Sequence, residues 1–235
     1  MAGDSPACHR AGVRTLLDLV LPQECGGCGA PGHSWCPACA AVLAAAEPMA
    51  LTPRVAGVPT AWACGPYGGP WRGGVIALKE RGRRDLLGPL GAALAGAVEH
   101  LREWGELDPA ELAPLVLAVA PSRARAARAR GGDPVAALAR EAAGRLTHGG
   151  WTVAVSEVLR TSWRARDSVG LSASQRTENL AGRVRVRSRP TVSAGATVLL
   201  LDDVLTTGAT AAAATAALAG CGVRVHAVLV LATVG

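Results

Sequence analysis

The chain has 235 residues, enough for one medium-sized domain with a small appendage. Half of the residues are apolar, but no stretch of about 18 apolar residues runs free of charge, which argues against a membrane-spanning helix. The net charge of +6 is carried almost wholly by arginine, with Lys79 the single lysine; it suits anionic ligands such as phosphates or nucleic acid, and equally a solvated basic surface.

The apolar patch at residues 16–21 is too short, and with Asp18 too acidic, for a secretory signal, so a cytoplasmic location is expected. Residues 1–50 form the first expected unit, an N-terminal helix and a cysteine-rich ribbon. Its Cys25-x2-Cys28-x7-Cys36-x2-Cys39 spacing makes two knuckle-like pairs, and Gly26, Gly27 and Gly29 permit the tight turns. Four thiolates suit tetrahedral Zn2+ in a closed structural site that leaves no position open for chemistry. A segment this short has little core, so the metal would supply its folding energy. A redox or disulfide pair is the alternative. His33 lies between the pairs, either as a replacement ligand or as a loop residue. The odd total of seven cysteines does not fit a secreted disulfide framework.

A short helical run is expected at 39–47. Pro48, Pro53 and Pro59 mark a linker into the second unit, residues 51–235. There, a helical pattern at 73–79 precedes a second at 86–101, where Leu90, Leu94, Ala97 and Leu101 share a face. The run at 114–120 is continuously apolar, as in a strand buried on both sides. Asp133-Pro134 starts a helix whose inward face is Val135, Leu138, Ala142 and Leu146, and Gly149-Gly150 ends it. A strand at 152–155, a polar segment at 160–182 and an Arg/Val alternation at 183–187 follow. A buried strand at 198–201, an alanine-rich helix at 210–219 and a last strand at 223–232 complete the chain. This alternation predicts an α/β fold, an open parallel sheet with helices on both faces.

The segment from Val198 to Thr210 concentrates the chemistry. An apolar strand runs into Asp202 and Asp203, then into Thr206, Thr207, Gly208, Ala209 and Thr210 at a helix start. Open parallel sheets bind ligands beyond the carboxyl ends of their strands. A helix start offers free N–H groups and a positive dipole end to a phosphate. The threonines add hydroxyl donors, and Gly208 lets the backbone approach closely. Ionised aspartates accept hydrogen bonds, as the vicinal hydroxyls of a ribose require. The alternative is a pair of acids that merely caps the helix.

This segment resembles the signature of the type I phosphoribosyltransferases, which bind phosphoribosyl pyrophosphate (PRPP). Over almost its whole length the chain is similar to the ComF family. The likeness runs through the cysteine cluster, Tyr67-Gly-Gly-Pro, Leu78-Lys79, Gly82-Arg-Arg-Asp85, Pro121-Ser122, Arg130-Gly131, Gly170-Leu171-Ser172, Arg176 and Asn179-Leu180. The resemblance implies a type I phosphoribosyltransferase-like fold with an N-terminal zinc ribbon. It implies that Asp202 and Asp203 hold the ribose hydroxyls as the catalytic acids, and that residues 206–210 cradle the 5′-phosphate. Pro121, Ser122 and Arg123 would hold pyrophosphate, and Mg2+ would ride on the pyrophosphate oxygens. Lys79 falls where the family has a lysine, and Arg160 and Arg176 are further candidate contacts; a plain surface charge is the other reading of Lys79. The family is associated with natural competence, which implies single-stranded DNA and competence proteins as partners. Arg160, Arg164 and Arg166 around Trp163 have the chemistry for that role, phosphate contact beside an aromatic stacking face. Two functions therefore compete: transfer of a phosphoribosyl group to an unknown acceptor, and non-catalytic binding of DNA during uptake.

Overall fold

The computed structural model describes residues 23–121, 132–161, 184–188, 190 and 192–234. It opens in a cysteine module that ends in helix α1 (Pro37–Ala44). Cys36 caps this helix: its sulfur accepts the Cys39 N–H at 3.5 Å, and Pro37 occupies the first turn, where a missing N–H matters least. The helix stops at Ala44, short of the expected residue 47, because Pro48 disfavours helical backbone at Glu47.

The proline-marked linker is more than a linker. Strands β1 (Met49–Leu51) and β2 (Thr60–Pro66) form an antiparallel hairpin there. Strand β2 carries little strand signal in its sequence, because Ala61, Ala63, Cys64 and Gly65 are neither β-branched nor aromatic, although all four are buried. Helix α2 (Gly69–Lys79), a 3-10 turn (Arg84–Leu86) and helix α3 (Leu87–Glu103) lead to β3 (Leu115–Val119). Helix α4 (Pro134–His148) begins as expected: the Asp133 carboxylate accepts the N–H groups of Val135 at 2.9 Å and Ala136 at 3.3 Å. Next come β4 (Val153–Ser156) and a separate antiparallel ribbon of β5 (Leu159–Thr161) and β6 (Val184–Val186). The chain closes with β7 (Thr197–Leu205), α5 (Ala209–Ala219) and β8 (Ala227–Thr233).

The main sheet has the order β1-β2-β8-β7-β3-β4, and only β1 runs antiparallel. From β3 the chain crosses through α4 to β4 at one edge; from β7 it crosses through α5 to β8 in the opposite direction. Right-handed crossovers in opposite directions put the two helices on opposite faces. The core agrees with this. Leu115, Leu117, Leu199 and Leu201 pack with Leu90 and Leu94 of α3 and with Leu138 and Leu146 of α4. Val116, Ala118, Val198 and Leu200 pack with Ala211, Ala214 and Leu218 of α5. The strand order therefore reverses between β3 and β7, and the crevice at their carboxyl ends is where such sheets bind ligands.

Strand β7 is longer than expected. It does not stop before the acids but continues through Asp202 and Asp203 to Leu205, because β8 runs beside it with Asp202 opposite Val230 and Leu205 opposite Thr233. The last strand starts later than expected, at Ala227. Just before it, the His226 ring takes the Val198 N–H on Nδ1 at 2.9 Å. Among the described residues, no helix is long and apolar enough to cross a membrane.

Candidate functional site

Neighbouring residues of a strand point to opposite sides of the sheet. Asp202 and Asp203 lie on such a strand, so they diverge. Asp202 lines a cavity of about 100 Å³ together with Thr206, Thr207, Gly208, Ala209 and Thr210. Asp203 is not part of that lining and instead meets Lys79, the last residue of α2, whose Nζ lies 2.6 Å from Oδ2.

The cavity floor is the turn into α5. Gly208 adopts φ +88°, a left-handed conformation that side chains disfavour, and it starts the helix with no side-chain cap. Hydrogen bonding within the helix begins with the Ala212 N–H donating to the Gly208 carbonyl at 2.8 Å, so the N–H groups before it have no helical acceptor. Of these, Ala209 donates to Thr207 Oγ1 at 3.3 Å. The β1–β2 connection closes over this turn: a Cβ on Gly208 would lie 3.1 Å from Pro53 Cβ and 3.3 Å from Val58 Cγ2. Nothing local in the sequence marks this covering, a contact between residues so distant along the chain.

Charge at this edge is tightly balanced. Asp202 is pushed up to about 8, first by burial and then by the charge of Asp203; the Asp203 N–H, donating to Asp202 Oδ1 at 2.8 Å, opposes the rise. Lys79 is affected in two directions. Burial disfavours its charge, but the adjacent Asp203 carboxylate, with help from Asp202, outweighs burial and holds the ammonium above its ordinary value. Pro121 comes to the same place through β3, because the Ala120 N–H donates to the Leu201 carbonyl at 2.8 Å, next to Asp202. Arg160 sits in β5, opposite Arg185, where its guanidinium donates to the Leu159 carbonyl at 2.9 Å; it is not part of the cavity lining. Ser122, Arg123, Trp163, Arg164, Arg166 and Arg176 lie outside the described residues.

Residues 129–234 match the phosphoribosyl transferase domain. No curated protein matches the chain. The phosphoribosyl transferase domain so matched contains β7, the cavity turn and α5 whole. Lys79, the hairpin that covers Gly208 and the cysteines all precede it.

The thiols of Cys25, Cys28, Cys36 and Cys39 all lie within 4.8 Å of one another, and those of Cys28 and Cys36 are 3.6 Å apart. A tetrahedron with Zn–S bonds of about 2.3 Å has edges of about 3.8 Å, so the four are placed to bind a zinc ion. His33 is exposed and is not one of this group. Burial raises the Cys25 thiol, but the backbone N–H groups of Cys36, Cys28 and Gly27 outweigh it and bring the thiol down to about 6. Cys39 is raised by burial and then by the neighbouring sulfurs. Four thiolates this close repel one another, and a divalent cation is the group that lets all of them ionise.

The cysteine module is docked on the sheet domain. A Cβ on Gly73 of α2 would lie 2.0 Å from the Gly27 carbonyl oxygen, and one on Gly26 would lie 2.4 Å from Leu86 Cδ1. Arg83 ties the two together by donating to the Glu24 carbonyl at 3.0 Å and the Ser34 carbonyl at 3.4 Å, while Asp85 holds its guanidinium at 2.6 Å.

Proposed function

We propose that this protein binds PRPP, or a closely related phosphorylated ribose, at the carboxyl edge of β7 and transfers the phosphoribosyl group to an acceptor. The observation that carries this reading is the cavity in which a carboxylic acid of β7 and the glycine-opened start of a helix line one space. The 5′-phosphate would lie against the turn at 206–210, held by its N–H groups and threonine hydroxyls. Asp202 would take a ribose hydroxyl from the cavity side, and Asp203 another once it is free of Lys79. Pyrophosphate would lie toward the turn after β3, at Pro121, Ser122 and Arg123, with Lys79, Arg160 and Arg176 as further contacts.

In the transfer, the acceptor's lone pair forms a bond to C1 of the ribose as the bond from C1 to the pyrophosphate oxygen breaks. Pyrophosphate leaves with the bonding pair, and the acceptor loses its proton. The protein's share is positioning and charge neutralisation, which matter most when the leaving group is itself a stable anion. Mg2+ would accompany the pyrophosphate, and the hard carboxylate oxygens of this edge are donors of the kind it takes.

Zn2+ at the four cysteines would be structural, with every ligand position filled by sulfur. Such thiols need a reducing compartment, in keeping with a cytoplasmic location. We place the boundary of the metal-binding unit near residue 50, within the edge strand β1, and assign residues 51–235 to the phosphoribosyl unit. The family assignment proposed for the whole chain is ComF, and single-stranded DNA and competence proteins are the partners it brings. The Trp163 region, on which the DNA reading rests, lies outside the described residues; the cavity at 206–210 is what supports the phosphoribosyl reading.

The decisive experiment is calorimetric titration of the full chain with PRPP and MgCl2, followed by a pyrophosphate-release assay against a panel of nucleobases and amines. Saturable PRPP binding that is lost in the Asp202→Asn, Asp203→Asn double variant is expected, together with pyrophosphate release with at least one acceptor. Undetectable PRPP binding, or full affinity in a folded double variant, would sink the reading.

A further inference from the structure

Lys79 is the one lysine among 24 lysine and arginine side chains. The cations around it in sequence, Arg72, Arg81, Arg83 and Arg84, are all arginine. A chain that uses arginine at every other such position marks residue 79 as one where a guanidinium does not serve. The two cations differ in how they let go. Arginine grips a carboxylate through a planar fork of two parallel hydrogen bonds, whereas lysine is a point charge with rotatable donors on a flexible stem.

The placement fits a group that changes partner. Nζ lies 2.6 Å from Asp203 Oδ2, and the lysine side chain is 40% exposed while the carboxylate is 14% exposed. The lysine side chain is therefore the more exposed member of the pair. Its position at the last residue of α2 puts it beside the carbonyl end of that helix, which favours a cation there. Asp203, meanwhile, is turned away from the cavity that Asp202 lines. Both acids can reach one sugar only if the Lys79–Asp203 pair opens.

We propose that Lys79 is an exchangeable counter-ion, paired with Asp203 until a ligand binds and then transferred to the anionic group at C1 of the sugar. The transfer releases Asp203 to the hydrogen bonds of the ribose hydroxyls and keeps the ammonium next to an anion throughout. This rests on the phosphoribosyl reading above and narrows its ligand class: the site selects a ribose 5-phosphate that carries a second anion at C1 over ribose 5-phosphate itself.

The test is calorimetry of the full chain with PRPP plus MgCl2 and, separately, with ribose 5-phosphate plus MgCl2. For Lys79→Met, PRPP affinity is expected to fall about tenfold or more, the value of one charge-assisted contact, while ribose 5-phosphate affinity changes by less than about twofold. Lys79→Arg is expected to lose PRPP affinity as well, because its fork holds Asp203. Equal losses for both ligands would overturn the exchange, since they would mean that Lys79 merely orients Asp203. So would unchanged PRPP affinity in either variant. Thermal melts establish that the variants fold; if the methionine variant does not, the arginine variant alone decides by the same comparison. Wild-type protein that binds neither sugar phosphate brings down the phosphoribosyl reading and this inference with it, whereas wild-type binding with indifferent variants brings down the exchange alone.

Discussion

Asp202 is where the proposed function is set against stability. Burial and the neighbouring Asp203 push its carboxyl from an ordinary 3.8 to about 8, so at neutral pH it mostly keeps its proton. The same group in the unfolded chain ionises near 3.9. Between those values the folded protein holds more protons than the unfolded one. The stability linked to Asp202 is therefore complete below about pH 4 and is lost as pH rises toward 8. Asparagine in its place keeps the shape and cannot ionise. The Asp202→Asn protein should melt a few degrees above the parent at pH 8 and close to it at pH 4.5. It should also bind PRPP more weakly, the usual exchange of stability for function at a strained site. Scanning calorimetry at the two pH values checks this; a melting difference that does not grow with pH means that Asp202 ionises like any surface acid.

The unit one scale up is the strand, turn and helix of β7 and α5, and its hinge is Gly208. An alanine there meets two obstacles: φ +88°, which suits glycine, and a Cβ lodged 3.1 Å from Pro53 and 3.3 Å from Val58. Gly208→Ala should destabilise the protein by about 1–2 kcal/mol in urea unfolding and weaken binding of ribose 5-phosphate, because the turn must shift to admit the methyl. Binding lost without any loss of stability would place the defect in the phosphate contact rather than in the packing. Much of this element was legible in advance. Four apolar residues ending in two acids, and an alanine run bounded by glycines, have a local signature that physics reads directly. The divergence of the acids was not legible. It depends on whether the strand ends at residue 201 or continues; it continues because β8 lies alongside and supplies backbone partners. Had the strand ended there, both acids could have faced the cavity with no Lys79–Asp203 pair to open. The β1–β2 hairpin escaped for a related reason. A strand of alanine, cysteine and glycine shows no period of its own and becomes a strand only because the edge of β8 is there to pair with it. The grouping of the four cysteines was legible, because their spacing carries the geometry, whereas the docking of their module on α2 lies in contacts of glycines distant along the chain.

That docking links the two ends of the molecule. The cysteine module rests on α2 where Gly73 admits the Gly27 carbonyl, and α2 ends at Lys79, the partner of Asp203. The chain leaving the module runs through β1 into the connection that covers Gly208. The cysteine cluster thus supports both the helix that carries Lys79 and the loop that closes over the helix start. With four thiols as ligands, metal binding releases protons and weakens as pH falls. Replacing one ligand, as in Cys36→Ser, should remove about one equivalent of zinc, since a structural site needs all four sulfurs. The packed contacts carry that loss onward: the melting temperature should fall, and PRPP affinity should weaken by about 0.5–2 kcal/mol, the usual scale of coupling through packed elements. The glycine contact offers an independent route to the same end, because Gly73→Ala leaves all four thiols intact yet separates the module from α2. If the coupling is mechanical, this variant retains its zinc in metal analysis and still loses PRPP affinity. Retained zinc with undiminished affinity would mean that the cysteine module folds beside the site without supporting it.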